Sequence, residues 1–479
     1  MKEVIIIGAG FSGLCMAIKL RQAGIDDFII LERNTHFGGT WYDNSYPGAA
    51  CDVESHLYSF SFEPNPNWSR QFSPQQEILS YIEHCVAKYN LAPHIQFHNT
   101  VLSAVFDEQS GIWTVTTADN KTFLSRIVIS CSGVLSEPAY PNIKGLKNFK
   151  GKLFHTARWD KSIDLNHKKV AVIGTGASAI QIVPAIAPLV SNLFLFQRTP
   201  PWILPKPDKV ISDFRLNLYR HVPLMARLYR IRLYWTHELL AIGFVVKPAV
   251  MKWIGKFALS YLHRKVKDET LRQKLTPDYT IGCKRILLSK NYYPALQRAN
   301  VEVVTTGIQE ITETGISTSA QNYEVDIIVL ATGFKAAEGV SMEVRGLGGI
   351  DLNHEWRDGA SAYLGTSVAG FPNLYLVVGP NTGLGHSSML LMIEAQVKYI
   401  IAAIKAMNGA KYSSVKKAVQ ESYNNTLQND LQNTIWQKGG CRSWYQTASG
   451  KNVTLWAGFT FTFMRQLKNF EIQKYEVVN

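Results

Sequence analysis

Val4-Ile5-Ile6-Ile7-Gly8-Ala9-Gly10-Phe11-Ser12-Gly13 is the stretch on which the reading of this chain turns. Four consecutive branched apolar residues suit a strand buried on both faces. They run into a G-x-G-x-x-G loop, after which Leu14, Met16, Ala17 and Leu20 follow with helical spacing. In such a strand–loop–helix unit Gly8 permits the tight turn and Gly10 lets a pyrophosphate approach the backbone, while Gly13 packs helix on sheet. The N–H groups of the first helical turn, which holds Ser12, face the phosphates. Such a loop alone is weak evidence. Here a second apolar strand, Phe28-Ile29-Ile30-Leu31, delivers Glu32 at the distance expected of a ribose-binding carboxylate, with Arg33 beside it. A carboxylate there repels a 2′-phosphate, so this site suits FAD or NAD rather than NADP.

The same device returns downstream. Lys169-Val170-Ala171-Val172-Ile173 leads into Gly174-Thr175-Gly176-Ala177-Ser178-Ala179, where alanine stands for the third glycine. The next strand, Leu193-Phe194-Leu195-Phe196, ends in Gln197-Arg198-Thr199. A guanidinium thus occupies the place where the first site has a carboxylate, and a planar cation with several donors suits the 2′-phosphate of NADPH. Two dinucleotide sites with opposite ribose chemistry imply electron transfer between two cofactors, FAD at the first and NADPH at the second.

Composition narrows the class. With 479 residues, 46 % of them apolar and 18 % charged, the chain has the make-up of a globular enzyme of two or three domains. A net charge of +13 favours anionic partners. No basic run carries the interleaved aromatics of a nucleic-acid motif, so nucleic acid is not expected. Cys15, Cys51, Cys85, Cys131, Cys283 and Cys441 are scattered without a CxxC pair. That spacing argues against a disulfide framework, a metal site or a dithiol redox centre, and fits a reducing cytoplasm. Met1-Lys2-Glu3 runs directly into the first strand, which leaves no room for a signal peptide, and no apolar stretch approaches the roughly 20 residues of a spanning helix. The expected location is cytoplasmic, at most membrane-peripheral. Without a cysteine pair to reduce, a reduced flavin would hand its electrons to O2.

Between the two sites, Phe149-Lys150-Gly151-Lys152-Leu153-Phe154-His155-Thr156-Ala157-Arg158-Trp159-Asp160 reads F-x-G-x-x-x-H-x-x-x-W-[PD] and resembles the fingerprint of type I Baeyer–Villiger monooxygenases. These belong to the class B flavoproteins of the flavin-containing monooxygenase superfamily. Relatives that oxidise nitrogen or sulfur usually carry Tyr-Lys or Tyr-Arg where this chain has Trp159-Asp160. Gly38-Gly39-Thr40-Trp41 and Tyr46-Pro47-Gly48-Ala49-Ala50-Cys51-Asp52 resemble a second motif of the family, and Ala331-Thr332-Gly333 marks the return to the first nucleotide domain.

The resemblance implies a reaction in which NADPH reduces FAD and O2 adds at the flavin C4a. The resulting peroxyflavin attacks a ketone carbonyl, and the adduct rearranges to an ester or lactone. A fixed cation near the flavin would keep the peroxide anionic and stabilise the oxyanion of the adduct. By resemblance that cation is Arg285, in Gly282-Cys283-Lys284-Arg285, paired with Asp52; Lys284 would join Arg198 and Thr199 around NADPH. Thr40, Trp41, Asp52, Val101 and Met389 would contact FAD. Phe149, Gly151, His155 and Trp159 would couple the domains rather than take part in chemistry. His386 and Ser387, in a glycine-rich turn, would sit near the flavin ring or simply begin the helix that starts near Met389. The competing readings are oxidation of sulfur or nitrogen, hydroxylation of long-chain alkanes, and a flavoprotein that merely oxidises NADPH.

The fold expected is α/β: two doubly wound, Rossmann-like domains, with FAD bound by residues 1–145 and 335–479 and NADP by 150–330. A helical insertion is expected at about 206–278. There Arg215, Arg220, Arg227, Arg230 and Arg232 interleave with Leu, Tyr and Trp, and Lys247, Lys252, Trp253 and Lys256 follow an apolar run. Such a segment suits either a cap over the substrate pocket with a solvated cationic face or contact with a membrane surface.

Overall fold

The computed structural model describes all residues from Met1 to Asn479 except Glu338 and Asn408. Lys2–Ile7 forms the centre of the larger sheet. It is flanked in parallel by Phe28–Leu31 and by Thr122–Ser130, so Ile5 and Ile6 have no exposed surface. The parallel core of that sheet runs in the order Leu374–Leu376, Thr122–Ser130, Lys2–Ile7, Phe28–Leu31, Ile95–Gln96. Val101–Asp107 and Ile112–Thr117 add an antiparallel meander beside Thr122–Ser130, and Glu343–Arg345 closes its outer edge. The sheet therefore draws strands from both ends of the chain. The helix Phe11–Gln22 packs against the helix Met389–Ala406, sealing one face of it.

A second sheet has five strands, all parallel, in the order Val301–Val304, Asn192–Phe196, Lys169–Ile173, Ile327–Leu330, Lys152–His155. In both sheets the glycine-rich loop leaves the carboxyl end of an interior strand, where the chain's path across the sheet reverses. Crevices of open α/β sheets form at that switch point. The expected α/β class with two dinucleotide-binding sheets is the one observed. The chain crosses between the sheets twice, side by side: Ala139 N–H donates to Gly333 O at 2.9 Å and Lys335 N–H to Glu137 O at 3.0 Å.

The basic aromatic segment is helical: Asp213–His221, Pro223–Ala241, a π-helical turn Ile242–Val246, Ala249–Lys265 and Glu269–Lys274. Among the described residues no helix is long and apolar enough to cross a membrane. One expectation is corrected. Cys283 and Cys441, 158 residues apart, are joined in a disulfide with Cα atoms 6.2 Å apart, while the other four cysteines are free and buried. Sequence spacing could not show this pair, because the C-terminal loop reaches the Gly282–Arg285 loop only when the molecule folds.

Candidate active site

Both glycine loops open onto one cavity of about 1490 Å³. That exceeds the roughly 300–1,000 Å³ of a single small-molecule site, as a place for two cofactors and a substrate must. On its first wall a Cβ at Gly13 would lie 1.9 Å from Gly8 O, so only glycine lets the helix start this close to its strand. Glu32 is buried beneath the loop, its two oxygens accepting from Ala9 N–H at 2.7 Å and Asn34 N–H at 2.9 Å. Each carboxylate oxygen keeps a free lone pair, which suits a ribose diol. Arg33 is braced by Glu137 at 2.5 Å, Asp43 at 3.2 Å and the Ser136 carbonyl at 2.9 Å. Ser12, Thr40, Trp41, Val101 and Met389 all line this cavity; the Trp41 indole N–H donates to Tyr58 Oη at 3.1 Å.

On the opposite wall Thr175 Oγ1 donates to Thr199 O at 2.8 Å, which ties the second glycine loop to the end of its neighbouring strand. Arg198 and Lys284 converge here. Burial lowers the Lys284 ammonium's pKa, the Arg198 charge lowers it further, and Asp278 opposes both. Two cations held close enough to repel could hold a multiply charged anion such as a nucleotide phosphate.

Deeper in, Arg285 Nε donates to Asp52 Oδ2 at 2.6 Å, and its NH1 makes a longer contact of 3.4 Å to Leu384 O. Both side chains keep about 30 % of their surface open to the cavity. Burial works to raise the Asp52 carboxyl, but the Arg285 guanidinium, helped by Lys206, holds it below the usual range. Asp52 in turn raises the Arg285 pKa further. The pair is ionised at any physiological pH.

The fingerprint residues lie elsewhere. His155 ends the edge strand Lys152–His155 and is fully buried; its Nδ1 accepts from Ala157 N–H at 3.1 Å. Its ring centroid is 5.8 Å from Tyr140 on one connecting segment and 5.8 Å from Phe334 on the other. Burial pushes its pKa down to about 4, so it packs as a neutral ring. Phe149 packs against the core of the second sheet, a Cβ at Gly151 would lie 2.4 Å from Asp326 O, and Trp159 meets Phe154 edge-to-face at 4.9 Å. Much of the 379–389 turn lines the cavity, from Gly379 and Pro380 through Leu384 to Ser387 and Met389. His386 is buried with its ring 6.3 Å from Phe244, and burial, followed by His237 and Arg285, pushes its pKa down to about 3.

The contacts of three residues, Gln181, Lys206 and His237, were not anticipated from the sequence. Gln181, on the helix after the second glycine loop, accepts from Tyr46 Oη at 2.9 Å and donates to Ala50 O at 2.8 Å. Gly48, at φ +83°, lies beneath it, where a Cβ would sit 2.6 Å from Gln181 O. The Tyr46–Asp52 motif is thus a clamp between the two nucleotide units. Lys206 donates to Cys51 O at 2.9 Å. His237, from the insertion, bridges Glu54 at 2.7 Å and the His386 carbonyl at 2.5 Å. Glutamine and lysine carry no sequence signal of their own; the aromatic–proline–glycine turn was the available hint for Gln181.

A family model described as flavin-binding monooxygenase-like matches residues 1–339. A protein of Pseudomonas aeruginosa named Baeyer-Villiger monooxygenase is 49 % identical over 480 residues, covering 99 % of this chain and 91 % of that one. One of the same name from Streptomyces coelicolor is 45 % identical, covering 99 % and 92 %. Among solved structures, OTEMO in complex with FAD and NADP superposes with a TM-score of 0.91 at 28 % identity, over 100 % of this chain and 99 % of that one.

Proposed function

The chain belongs to the flavin-binding monooxygenase-like family, and from that premise we propose that it catalyses a Baeyer–Villiger oxidation in which Arg285 is the decisive residue. Ketone, O2, NADPH and a proton give ester or lactone, water and NADP. FAD would be held by the Gly8–Gly13 loop, Glu32 and the wall formed by Thr40, Trp41, Val101 and Met389. NADPH would be held by the Gly174–Ser178 loop, Arg198, Thr199 and Lys284. Bound FAD, reduced by NADPH, supplies the activated oxygen.

The observation that carries this reading is the state of Arg285. Among the described residues Nε is spent on the short bond to Asp52 and NH1 reaches Leu384 O at 3.4 Å, which leaves further N–H donors for the cavity. A guanidinium cannot act as an acid here. What it can do is stabilise negative charge on a carbonyl oxygen as that charge develops. Asp52 fixes the plane of the guanidinium, and Lys206, bonded to the adjacent Cys51 carbonyl, holds the loop that carries Asp52. In this reading the substrate is a small-molecule ketone or related apolar compound, nucleic acid has no role, and the enzyme is cytoplasmic, at most membrane-peripheral.

The test is NADPH consumption with cyclic, aryl and long-chain ketones under labelled O2, followed by mass analysis. Esters or lactones with one labelled oxygen are expected. Sulfoxides, N-oxides or hydroxylated chains as the main products would replace this reading, and stoichiometric hydrogen peroxide with every ketone would reduce the protein to an NADPH oxidase.

A further inference from the structure

The helix Pro223–Ala241 is apolar on two opposite faces, and only one of them is used. Its inner face buries Ala226, Leu233 and Ala241 and places His237 against Glu54 and the His386 carbonyl. Its outer face carries Leu224, Leu228, Ile231, Trp235 and Leu239, spaced four, three, four and four residues apart, the repeat that makes a continuous helical stripe. A surface helix normally turns such a stripe to the core. Here all five residues are between 49 % and 66 % exposed.

The stripe continues beyond this helix. The Trp235 and Phe461 rings are 6.4 Å apart, and Phe461 and Met464 are themselves exposed on the helix Thr460–Gln466. Past the π-helical turn, Ala249–Lys265 repeats the pattern with Val250, Trp253 and Phe257 outward, Trp253 being 73 % exposed. Cations surround this apolar surface. Between 213 and 265 there are ten Lys and Arg residues against two acidic ones, Asp213 and Glu238; of the ten, Arg230 turns inward to donate to His56 O at 2.6 Å, and Glu238 is buried, accepting from Thr460 N–H. Lys256 Nζ lies 5.0 Å over the Trp253 ring.

We propose that this face docks on a membrane surface bearing anionic lipid, and that the substrates of the site behind it are long-chain ketones held in the bilayer. Apolar stripes rimmed by Lys and Arg, with tryptophan among the outward residues, have the composition of helices that lie in the headgroup region. Clustered cations near such a surface are attracted by anionic headgroups. The charge also selects against a second copy of this chain, since two such faces would bring cation against cation. The helix that offers the stripe to the bilayer is the one whose other face reaches the Glu54 and His386 loops, so docking sets the site's wall against the lipid. The substrate half rests on the ketone reading above; the docking half does not.

The test uses the full-length holoenzyme and sedimenting vesicles of phosphatidylcholine alone or mixed with phosphatidylglycerol. The expected result is binding to the mixed vesicles, weakened by salt, and at least about tenfold weaker to phosphatidylcholine alone. A variant with Trp235→Ser, Leu239→Ser and Trp253→Ser alters only exposed side chains. It is expected to lose binding about tenfold or more, keep its melting temperature and turn over short soluble ketones normally. It should oxidise vesicle-borne long-chain ketones far more slowly. No sedimentation with anionic vesicles, or undiminished binding by the variant, overturns the docking. So does a concentration-dependent dimer that the variant abolishes, which would assign the face to a second copy. Docking with unchanged oxidation of vesicle-borne ketone overturns the substrate half, whereas failure to oxidise any ketone would remove the ketone reading and leave the docking standing.

Discussion

Replacing Arg285 by alanine removes the cation while leaving both nucleotide loops in place. Two unit charges about 4 Å apart at an effective dielectric of about 20 attract by about 4 kcal/mol before desolvation is counted. The pair is about 30 % exposed, so its net loss to stability should fall below the roughly 3–5 kcal/mol of a fully buried pair broken on one side. A cost of about 1–3 kcal/mol is expected. Lys206 remains as a cation for Asp52, which limits the damage. The catalytic loss is separate: deleting a donor that stabilises a developing oxyanion typically costs about 100- to 1,000-fold. Ester formation should drop by that factor. NADPH oxidation should persist and divert to hydrogen peroxide, because neither Arg198 nor Lys284 is touched. Asp52→Ala should cost less, since the cation stays and only its orientation is lost. The assay follows NADPH by absorbance, ester by mass spectrometry and peroxide by a coupled peroxidase. The Asp52 carboxyl is held low, so its contribution to stability is complete above the ordinary carboxylate pKa near ~4 and fades only as pH falls through its depressed folded-state value. An Arg285→Ala enzyme still making ester within about tenfold of the parent rate would refute this assignment.

Arg198→Ala and Lys284→Ala should each raise the KM for NADPH about tenfold or more, about 1.4 kcal/mol of lost binding, and leave the KM for NADH nearly unchanged; equal effects on both cofactors would rule out a 2′-phosphate site. Gly48→Ala must adopt φ +83° and place its Cβ 2.6 Å from Gln181 O, so a melting temperature lower by at least ~3 °C is expected. Gly24→Ala, at φ +80° with nothing within 4 Å, is the control that isolates backbone strain, and equal losses in the two would deny the clamp. For His237, burial alone would lower the pKa, but the bond to Glu54 leaves it raised. Its stabilisation is therefore complete below the unfolded value of about 6.5 and lost as pH rises through the higher folded value. The gap in melting temperature between the parent protein and His237→Gln should be widest in mild acid and close in alkali, and a gap that widened with pH would contradict the pairing.

Both nucleotide units were legible from local chemistry, because each is a requirement met within about 30 residues: a buried strand, a loop that only small residues can make, and a charged residue on the next strand. Lys2–Ile7, Phe28–Leu31 and Lys169–Ile173 form where the branched apolar runs place them. Arg285 and Asp52 were named through resemblance to a family, since nothing local links residues 233 positions apart. The insertion was legible as basic, aromatic and helical, but helical spacing alone did not say which face would be inward, and the second apolar stripe emerged only with the packing. The cysteine reading failed for the same reason of distance.

Two strand–loop–helix units of dinucleotide-binding type were readable in the sequence alone, as was the opposite charge that follows the second strand of each, Glu32 in one and Arg198 in the other. Those features follow from backbone geometry and charge carried by neighbouring residues. The tertiary structure alone decided what stands between them. It set Arg285 on Asp52 at 2.6 Å, Gln181 over Gly48, His237 between Glu54 and the His386 carbonyl, and Cys283 on Cys441. These contacts join residues more than a hundred positions apart. They are chosen by how the two sheets and the inserted helices pack, which no short stretch of chain encodes.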